Sequence, residues 1–301
     1  MASPEQMSDV LAEYGYLADD ALATSLFLAL RMGRPLFLEG EAGAGKTEVA
    51  IVLARWTGGE LVRLQCYDGI DVSQAVYEWD YARQLLHLRA LESSEAAPRE
   101  PSDVEHSLYS EEYLVRRPLL RAIAATNNEG PVPVLLIDEI DRADDEFEAY
   151  LLEILSDFSV TVPELRTFRA ERPPIVIVTS NRTRDVHDAL KRRCLYHWVD
   201  HPSFEREVAI VRLRVPGATE SLAREVAAVT TELRQRGLYK PPGVAESIDW
   251  AQALSVLGST HLDERTVERT LGTVIKYRED AERVRAGGLA GLVSDALRSI
   301  A

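Results

Sequence analysis

Cysteine is scarce in this chain, and its scarcity excludes two structural classes. Cys66 and Cys194 are the only two cysteines among 301 residues. Two thiols so far apart in sequence cannot supply a disulfide framework or a cluster of zinc ligands. The six histidines are scattered, and the closest pair, His197 and His201, has no acidic or thiol companions at ligand spacing. Hydrophobic residues make up 46% of the chain, so we expect a packed core to stabilise the fold.

Long apolar runs and an excess of positive charge are also lacking. No stretch approaches the roughly 20 apolar residues that span a bilayer, and the first residues, MASPEQMSDV, do not resemble a signal peptide. We therefore expect a cytoplasmic protein with no membrane span. The formal net charge of −15 opposes binding to the phosphate backbone of nucleic acid. Nucleic acid is thus a disfavoured partner, although a local basic patch within an acidic total stays open.

Short apolar runs alternate with helical patterns over the first two thirds of the chain. The apolar runs are PLFLEG from Pro35, LVRLQC from Leu61, VPVLLIDEI from Val132, IVIVTSN from Ile175 and LYHWV from Leu195. The helical patterns between them cover Asp19–Met32, Lys46–Thr57, Pro118–Ala125, Asp145–Phe158 and Thr183–Arg193. This alternation predicts an α/β fold in which a parallel five-stranded sheet carries helices on both faces.

Two further segments complete the organisation of the chain. The stretch from Glu92 to Glu112 is polar and acidic and contains two prolines, which predicts a loop or a partly disordered insertion. After Pro202 the segments have helical periodicity, and proline and glycine breakers separate them. We therefore predict an α/β nucleotide-binding domain over residues 1–202 and a smaller all-helical lid domain over residues 203–301.

The most specific motif is GEAGAGKT, which matches GxxxxGK(S/T). It follows the apolar strand PLFLE and opens the helix KTEVAIVLARW, as a phosphate-binding loop requires. The residues predicted to cradle a triphosphate with their backbone amides are Gly40, Glu41, Ala42, Gly43, Ala44 and Gly45. Lys46 is expected to reach the β and γ phosphates, and the Thr47 hydroxyl is expected to bind Mg²⁺. The alternative, a glycine-rich turn that binds nothing, does not explain the flanking strand and helix.

Acidic residues end a second apolar strand, VLLIDE, at Asp138 and Glu139. We expect Asp138 to hold the Mg²⁺ of bound ATP and Glu139 to act as the general base for the attacking water. A strand end or helix cap is the simpler explanation, and it loses weight beside the phosphate motif. Asn181 ends the next run, IVIVTSN, where its amide could hold the same water or the γ phosphate. Taken alone, an asparagine there is more often a turn residue.

Basic residues end the last predicted helix of the α/β region, in ALKRRCLYHW: Lys191, Arg192 and Arg193. Arginine stabilises the charge that develops on a transferring phosphoryl group, and a neighbouring subunit can supply it. That role would require an oligomer. A basic helix end also interacts favourably with the helix dipole, which is a common arrangement without catalytic meaning. Without the preceding motifs, the second interpretation would be favoured for these residues.

These motifs, in this order and followed by a helical domain, resemble the AAA+ superfamily, and the detail is similar to its MoxR branch. The similar stretches are LFLEGEAGAGKTEVA, LLIDEIDRADDEFEAYLLEILSDFSVTVPEL, PPIVIVTSNRTRDVHDALKRRCLYHWVDHP and KPPGVAESIDWAQAL, the last two most similar to CoxD-like members. The resemblance implies ATP hydrolysis at the subunit interfaces of a ring, usually a hexamer. It implies Arg192 as the residue that reaches the next subunit's nucleotide, with Arg193 as second choice. It also implies that SVTVPELRTFRA forms an inserted hairpin facing the pore or a partner.

The resemblance also suggests partners, and the sequence departs from the MoxR pattern at one position in the helical domain. MoxR proteins commonly act beside a protein with a von Willebrand factor A domain to mature a metalloenzyme, and CoxD-like members suggest a molybdenum-containing dehydrogenase as client. Many members carry a nucleotide-contacting arginine at the helix matched here by GVAESIDW, which has none, so we assign no residue to that role. A nucleotide-gated scaffold with little turnover is the alternative function, and Glu139 favours hydrolysis over it. A DNA-remodelling ATPase comes third because of the acidic charge.

Overall fold

The computed structural model describes residues 3–92, 101–125 and 130–300. The strands in these ranges are β1 (Leu36–Glu39), β2 (Leu61–Gln65), β3 (Tyr77–Trp79), β4 (Leu114–Arg116), β5 (Val134–Asp138), β6 (Ser159–Val162), β7 (Arg166–Arg169), β8 (Ile175–Ser180) and β9 (Leu195–Trp198). The first nine α-helices are α1 (Pro4–Glu13), α2 (Asp20–Met32), α3 (Lys46–Thr57), α4 (Val72–Ala75), α5 (Tyr81–Glu92), α6 (Pro101–Leu108), α7 (Pro118–Ala125), α8 (Asp145–Asp157) and α9 (Asp188–Arg193). Those that follow are α10 (Phe204–Arg214), α11 (Glu220–Gln235), α12 (Val244–Val256), α13 (Glu264–Val274), α14 (Arg278–Ala286) and α15 (Leu289–Arg298).

The main sheet has five strands in the order β2, β5, β8, β1, β9. The pairs β2–β5, β5–β8 and β1–β8 are parallel. The central strands β5 and β8 have continuous apolar sequences, VLLID and IVIVTS, and are buried along almost their whole length. Such sequences suit parallel strands that are covered on both faces. The predicted α/β fold, with its five strands and flanking helices, is confirmed.

Strand β2 lies at the edge of the main sheet, and its burial alternates along the strand. Val62 and Leu64 are buried, whereas Arg63 and Gln65 are exposed, because successive side chains point to opposite faces. Gln65 pairs in register with Asp138 of β5. The exposed face of β2 therefore brings polar side chains to the carboxyl end of β5.

Backbone contacts divide the chain into two compact units. The first contains the described residues of 24–39 and 50–197, and the second contains those of 3–23, 40–49 and 198–300. The apolar core of the first includes Phe37, Ile137 and Phe147. Helices α10 to α15 supply the core of the second, in which the indole Nε1 of the fully buried Trp250 donates to Thr270 Oγ1 at 2.7 Å.

Two short antiparallel ribbons accompany the main sheet. The first pairs β3 with β4, and these three-residue strands gave no signal in the sequence. The second is the predicted hairpin SVTVPELRTFRA, in which β6 pairs with β7 from Ser159 opposite Arg169 to Val162 opposite Arg166. The predicted hairpin geometry is therefore confirmed.

Two local predictions are wrong in part. The helix predicted over Thr183–Arg193 begins only at Asp188. Thr183 donates its N–H and its hydroxyl to Asp141, and His187 N–H donates to Glu148, so these contacts hold residues 183–187 in a loop. The segment predicted as a loop over residues 92–112 contains helix α6. Residues 93–100 of that segment lie outside the described residues.

Candidate nucleotide-binding site

The phosphate loop, residues 40–47, connects the end of β1 to the start of α3. A Cβ atom on Gly40 would lie 2.3 Å from the carbonyl oxygen of Val199, so no side chain fits at this position. Gly43 has a φ of +76°, a left-handed conformation that glycine adopts without the penalty of a Cβ. The loop therefore has the tight curl that its motif predicts.

Lys46 is held by the backbone of the phosphate loop. Its side chain is buried, and Nζ donates to the carbonyl oxygens of Gly40 and Glu41, each at 2.7 Å. A buried ammonium group needs such acceptors to offset its desolvation. Thr47 lies in the first turn of α3, where the positive end of the helix dipole favours an anion. The structure thus places both predicted phosphate-site side chains at the amino end of one helix.

Helix α12 contacts the phosphate loop through backbone atoms. The N–H groups of Val244 and Ala245 donate to the carbonyl oxygen of Gly43 at 3.1 and 3.3 Å. A Cβ on Gly243 would lie 2.8 Å from the Ala42 carbonyl oxygen and 2.9 Å from Gly43 Cα. Sequence reasoning missed this contact, because Gly243 looked like a breaker between helices. The start of α12, which contains no arginine, therefore contacts the loop through its backbone amides.

Asp138 ends β5 as a buried carboxylate with two identified donors. Its Oδ1 accepts the Thr179 hydroxyl at 2.5 Å, and its Oδ2 accepts Nη2 of Arg63 at 2.5 Å. Thr179 belongs to β8, the neighbouring strand, and Arg63 belongs to β2 on the other side. Both donors come from strands adjacent to β5, so the sheet itself fixes the orientation of this carboxylate.

Glu139 and Asn181, which we predicted as neighbours around a catalytic water, are in contact. Asn181 Nδ2 donates to Glu139 Oε1 at 3.3 Å. The N–H of Glu139 donates to the Thr179 hydroxyl at 3.0 Å, and its backbone is left-handed with a φ of 55°. Arg142 Nε pairs with the second carboxylate oxygen, Oε2, at 3.0 Å. The side chain of Glu139 thus turns away from β5 and toward the end of β8.

Asp141 organises the turn after β8, and sequence reasoning did not single it out. Its carboxylate accepts the N–H of Asn181 at 3.1 Å and both the N–H and the hydroxyl of Thr183, at 2.9 and 2.6 Å. Burial alone would raise the pKa of Asp141, but the hydrogen bonds from Thr183 and Asn181 outweigh it and leave the pKa lowered. We call residues 138–141 and 179–183 together the acid edge.

The three basic residues at the end of α9 have different surroundings. Lys191 Nζ pairs with the buried carboxylate of Glu39 at 3.2 Å, and Arg193 Nε donates to the Ser156 hydroxyl at 3.0 Å. Arg192 is exposed, and its guanidinium has no protein partner in the described parts of the chain. Of the two arginines proposed for a neighbouring subunit's nucleotide, Arg192 is therefore the one available.

A guanidinium from elsewhere in the chain caps the carboxyl end of α9. Arg34 Nη2 donates to the carbonyl oxygens of Arg192 and Arg193 at 2.8 and 2.9 Å, and Arg34 Nε donates to the second of these at 3.2 Å. Its Nη2 also approaches the Cys194 carbonyl oxygen at 3.3 Å. Three terminal carbonyl groups thus share one cation.

The donor groups present suit Mg²⁺ better than a transition metal. Mg²⁺ takes one or two protein oxygens and completes its shell with water and phosphate. Asp138 offers a buried carboxylate, and no cluster of three or more histidine, cysteine or acidic side chains that could hold a metal occurs among the described residues. The Arg63 guanidinium pairs with Asp138 at 2.5 Å, so this carboxylate has a positive partner within the protein.

The parallel sheet, the glycine-rich loop after β1 and the acids after β5 define the class of P-loop nucleotide-binding proteins. A family model described as AAA domain (dynein-related subfamily) matches residues 35–194. Because this match covers more than half of the chain, the chain belongs to the dynein-related AAA domain family. None of the curated proteins compared with the chain matches it. No described helix is long and apolar enough to cross a membrane.

Solved structures match the chain only at low similarity. The P216G mutant of Thermotoga maritima RuvB is 15% identical with a TM-score of 0.46, over 93% of this chain and 73% of that one. A candidate ATPase from Cytophaga hutchinsonii is 14% identical with a TM-score of 0.46, over 98% of this chain and 94% of that one. At such similarity these structures add nothing about function, and the family assignment rests on the domain match.

Proposed function

We propose that this protein binds Mg-ATP and hydrolyses it to ADP and phosphate. The observation that supports the proposal best is the acid edge, where Asn181 contacts Glu139 beside the buried Asp138. A phosphate loop alone is compatible with binding, but a carboxylate held by an amide next to a candidate metal ligand is suited to activating water. The parallel pairing of β1, β5 and β8 directs the ends of all three strands to one edge of the sheet.

In this proposal the phosphate loop, Gly40 to Thr47, holds the triphosphate. The backbone amides of the loop and the amino end of α3 face the phosphates, and Lys46 exchanges its contacts with loop carbonyl oxygens for the β and γ phosphates. The Thr47 hydroxyl and the Asp138 carboxylate hold Mg²⁺. When bound, Mg²⁺ would supply positive charge at the phosphate oxygens.

Glu139 has the role of general base. Its carboxylate takes a proton from the attacking water, and Asn181 donates a hydrogen bond that orients the water or the γ phosphate. Arg142, with a side chain 56% exposed, occupies one oxygen of Glu139 in the present state. A pair this exposed is worth only about 0–1 kcal/mol, so Glu139 can leave Arg142 without a large cost.

Turnover by purified protein tests the assignment. Lys46→Ala should lose nucleotide binding, whereas Glu139→Gln should bind ATP and hydrolyse it about 10²- to 10⁴-fold more slowly. Glu146→Gln, an exposed acid of α8, serves as the matched control and should keep the wild-type rate. Full activity of Glu139→Gln would show that another group activates the water. Tight binding with negligible turnover by the wild type would favour a nucleotide-gated scaffold.

We further propose a ring of subunits, most simply a hexamer, in which Arg192 contacts the nucleotide of the next subunit. The support is its exposure and the lack of a described partner for its guanidinium, while Arg193, our second choice, is held by Ser156. Arg192→Ala should bind nucleotide and lose turnover. Mixing Arg192→Ala with Glu139→Gln subunits should restore part of the activity, because only the mixture contains interfaces with both groups intact. A mixture without activity would argue against a role across the interface.

The biological role is proposed from the MoxR resemblance alone. We propose a chaperone-like machine of the CoxD-like MoxR branch in the cytoplasm, with the α/β domain at 1–202 and the lid at 203–301. Its partner would carry a von Willebrand factor A domain, and its client would be a metalloenzyme such as a molybdenum-containing dehydrogenase. Capture of proteins on Glu139→Gln in ATP, with Lys46→Ala as the matched control, tests this role. Recovery of neither partner nor client on the trapped form would count against it.

A further inference from the structure

Arg63 contacts the candidate metal ligand from the edge of the main sheet. Its Nη2 donates to Asp138 Oδ2 at 2.5 Å and to Gln65 Oε1 at 2.6 Å. Gln65 pairs in register with Asp138, so the Arg63 side chain runs along the exposed face of β2 to reach the end of β5. The contact thus depends on strand register, which fixes both ends of the pair.

The two partners of this ion pair differ in exposure. The Asp138 side chain is 4% exposed, whereas the Arg63 side chain is 53% exposed. A carboxylate so deeply buried is costly without a positive partner. A half-exposed guanidinium, in contrast, can turn into solvent at little cost. The pair can therefore open on the arginine side without leaving a cation buried.

Magnesium and the guanidinium need the same carboxylate. Thr179 already occupies Oδ1 of Asp138, and Arg63 occupies Oδ2. Whether Mg²⁺ binds Asp138 directly or through a water molecule, its charge and that of Arg63 oppose each other at close range. The ion must share the carboxylate with Arg63 or displace it.

We infer that Arg63 is a positioning residue that substitutes for the metal ion at Asp138 and competes with Mg²⁺ for it. The inference rests on the proposed Mg-ATP site. Arg63 holds the carboxylate in place before the metal arrives, and it offsets the repulsion between Asp138 and a metal-free triphosphate. The competition raises the magnesium concentration at which the nucleotide site becomes metal-loaded.

The test measures binding of a fluorescent N-methylanthraniloyl ATP, first in EDTA and then during a Mg²⁺ titration. In Arg63→Gln the magnesium midpoint should fall about two- to fivefold, the effect expected when one half-exposed ion-pair partner is removed. Affinity in EDTA should fall in the same variant. Arg83→Gln is the matched control, because Arg83 is 52% exposed and pairs with Glu112 at 3.0 Å. It should keep the wild-type midpoint.

The outcomes separate the inference from the proposed function. An unchanged or higher magnesium midpoint in Arg63→Gln, with wild-type binding intact, overturns the competition. Absence of nucleotide binding by the wild type instead overturns the proposed function. If Arg63→Gln does not fold, Arg63→Lys provides the test, since lysine keeps the charge but loses the planar donor group. Its midpoint should fall by a smaller factor, and an unchanged value there overturns the inference.

Discussion

Contacts between backbone atoms stabilise the conformation of the phosphate loop. In the acid edge, side-chain hydrogen bonds and ion pairs stabilise the structure instead. The carbonyl oxygen of Gly43 accepts hydrogen bonds from two N–H groups of α12. Gly243 lies so close to the loop that an added Cβ atom would clash with it. In the acid edge, Asp138 and Asp141 are each fixed by hydroxyl, guanidinium or amide donors. The loop should therefore be sensitive to added volume and the acid edge to changed charge.

The largest expected effect concerns the buried ion pair beneath the α12 contact. The carboxylate of Glu207 accepts hydrogen bonds from both terminal nitrogens of Arg234, at 2.7 and 2.8 Å. Arg234 Nε also donates to the carbonyl oxygen of Pro242, the residue before Gly243. Glu207→Ala leaves the largely buried guanidinium of Arg234 without its carboxylate partner, which should lower the free energy of unfolding by about 3–5 kcal/mol. Urea unfolding measures it. Glu220→Ala, which removes a 64% exposed partner, should change stability by less than about 0.5 kcal/mol.

Adding one methyl group to Gly243 tests the sensitivity of the loop to volume. Gly243→Ala places Cβ 2.8 Å from the Ala42 carbonyl oxygen, and the resulting strain of about 1–3 kcal/mol should weaken ATP binding roughly 10- to 100-fold. Calorimetric titration with ATP measures the affinity. Gly291→Ala in α15, where a Cβ meets nothing within 4 Å, should bind normally. Equal affinity in both variants would contradict the importance of the backbone contact.

Removing one charge at Asp141 tests the acid edge without changing its volume. Asp141→Asn replaces an acceptor-only carboxylate with an amide, whose NH2 group cannot accept the hydrogen bonds that Asn181 and Thr183 donate. This change should cost about 1–3 kcal/mol of stability at neutral pH. Because the pKa of Asp141 is lowered in the folded protein, its contribution is present above the unfolded pKa and is lost as the pH falls through the folded value. The stability difference from wild type should therefore shrink in acid. Asp145→Asn, whose side chain is 83% exposed, should show neither effect.

The smallest expected effect is the absence of thiol reactivity. Burial raises the pKa of both Cys66 and Cys194 to about 12, and nearby carboxylates add to the shift at Cys66. Neither thiol should react with a disulfide reagent at neutral pH in the folded protein, because the thiolate is the reactive form. Cys66 N–H donates to the carbonyl oxygen of Asp138, so labelling of Cys66 in a Cys194→Ser variant would report opening of the acid edge. Rapid labelling of the native protein would contradict the compact edge described above.

The sequence predicted the elements and motifs well because their signals are local. The run VLLID and the helix Lys46–Thr57 follow directly from apolar periodicity and from the phosphate motif. Arg63 and Asp141 escaped notice because their importance depends on strand order and on a turn, neither of which spacing alone reveals. The late start of α9, at Asp188, has the same origin, since tertiary contacts of Thr183 override a helical pattern.

The cap that Arg34 forms on α9 bears on why basic residues lie there. A guanidinium on the carbonyl groups of Arg192, Arg193 and Cys194 already neutralises the negative end of the helix. The arginines of α9 itself are therefore not required to neutralise the negative end of the helix. The stability of α9 therefore does not require the charge of Arg192, which agrees with the proposal that this residue acts at an interface between subunits.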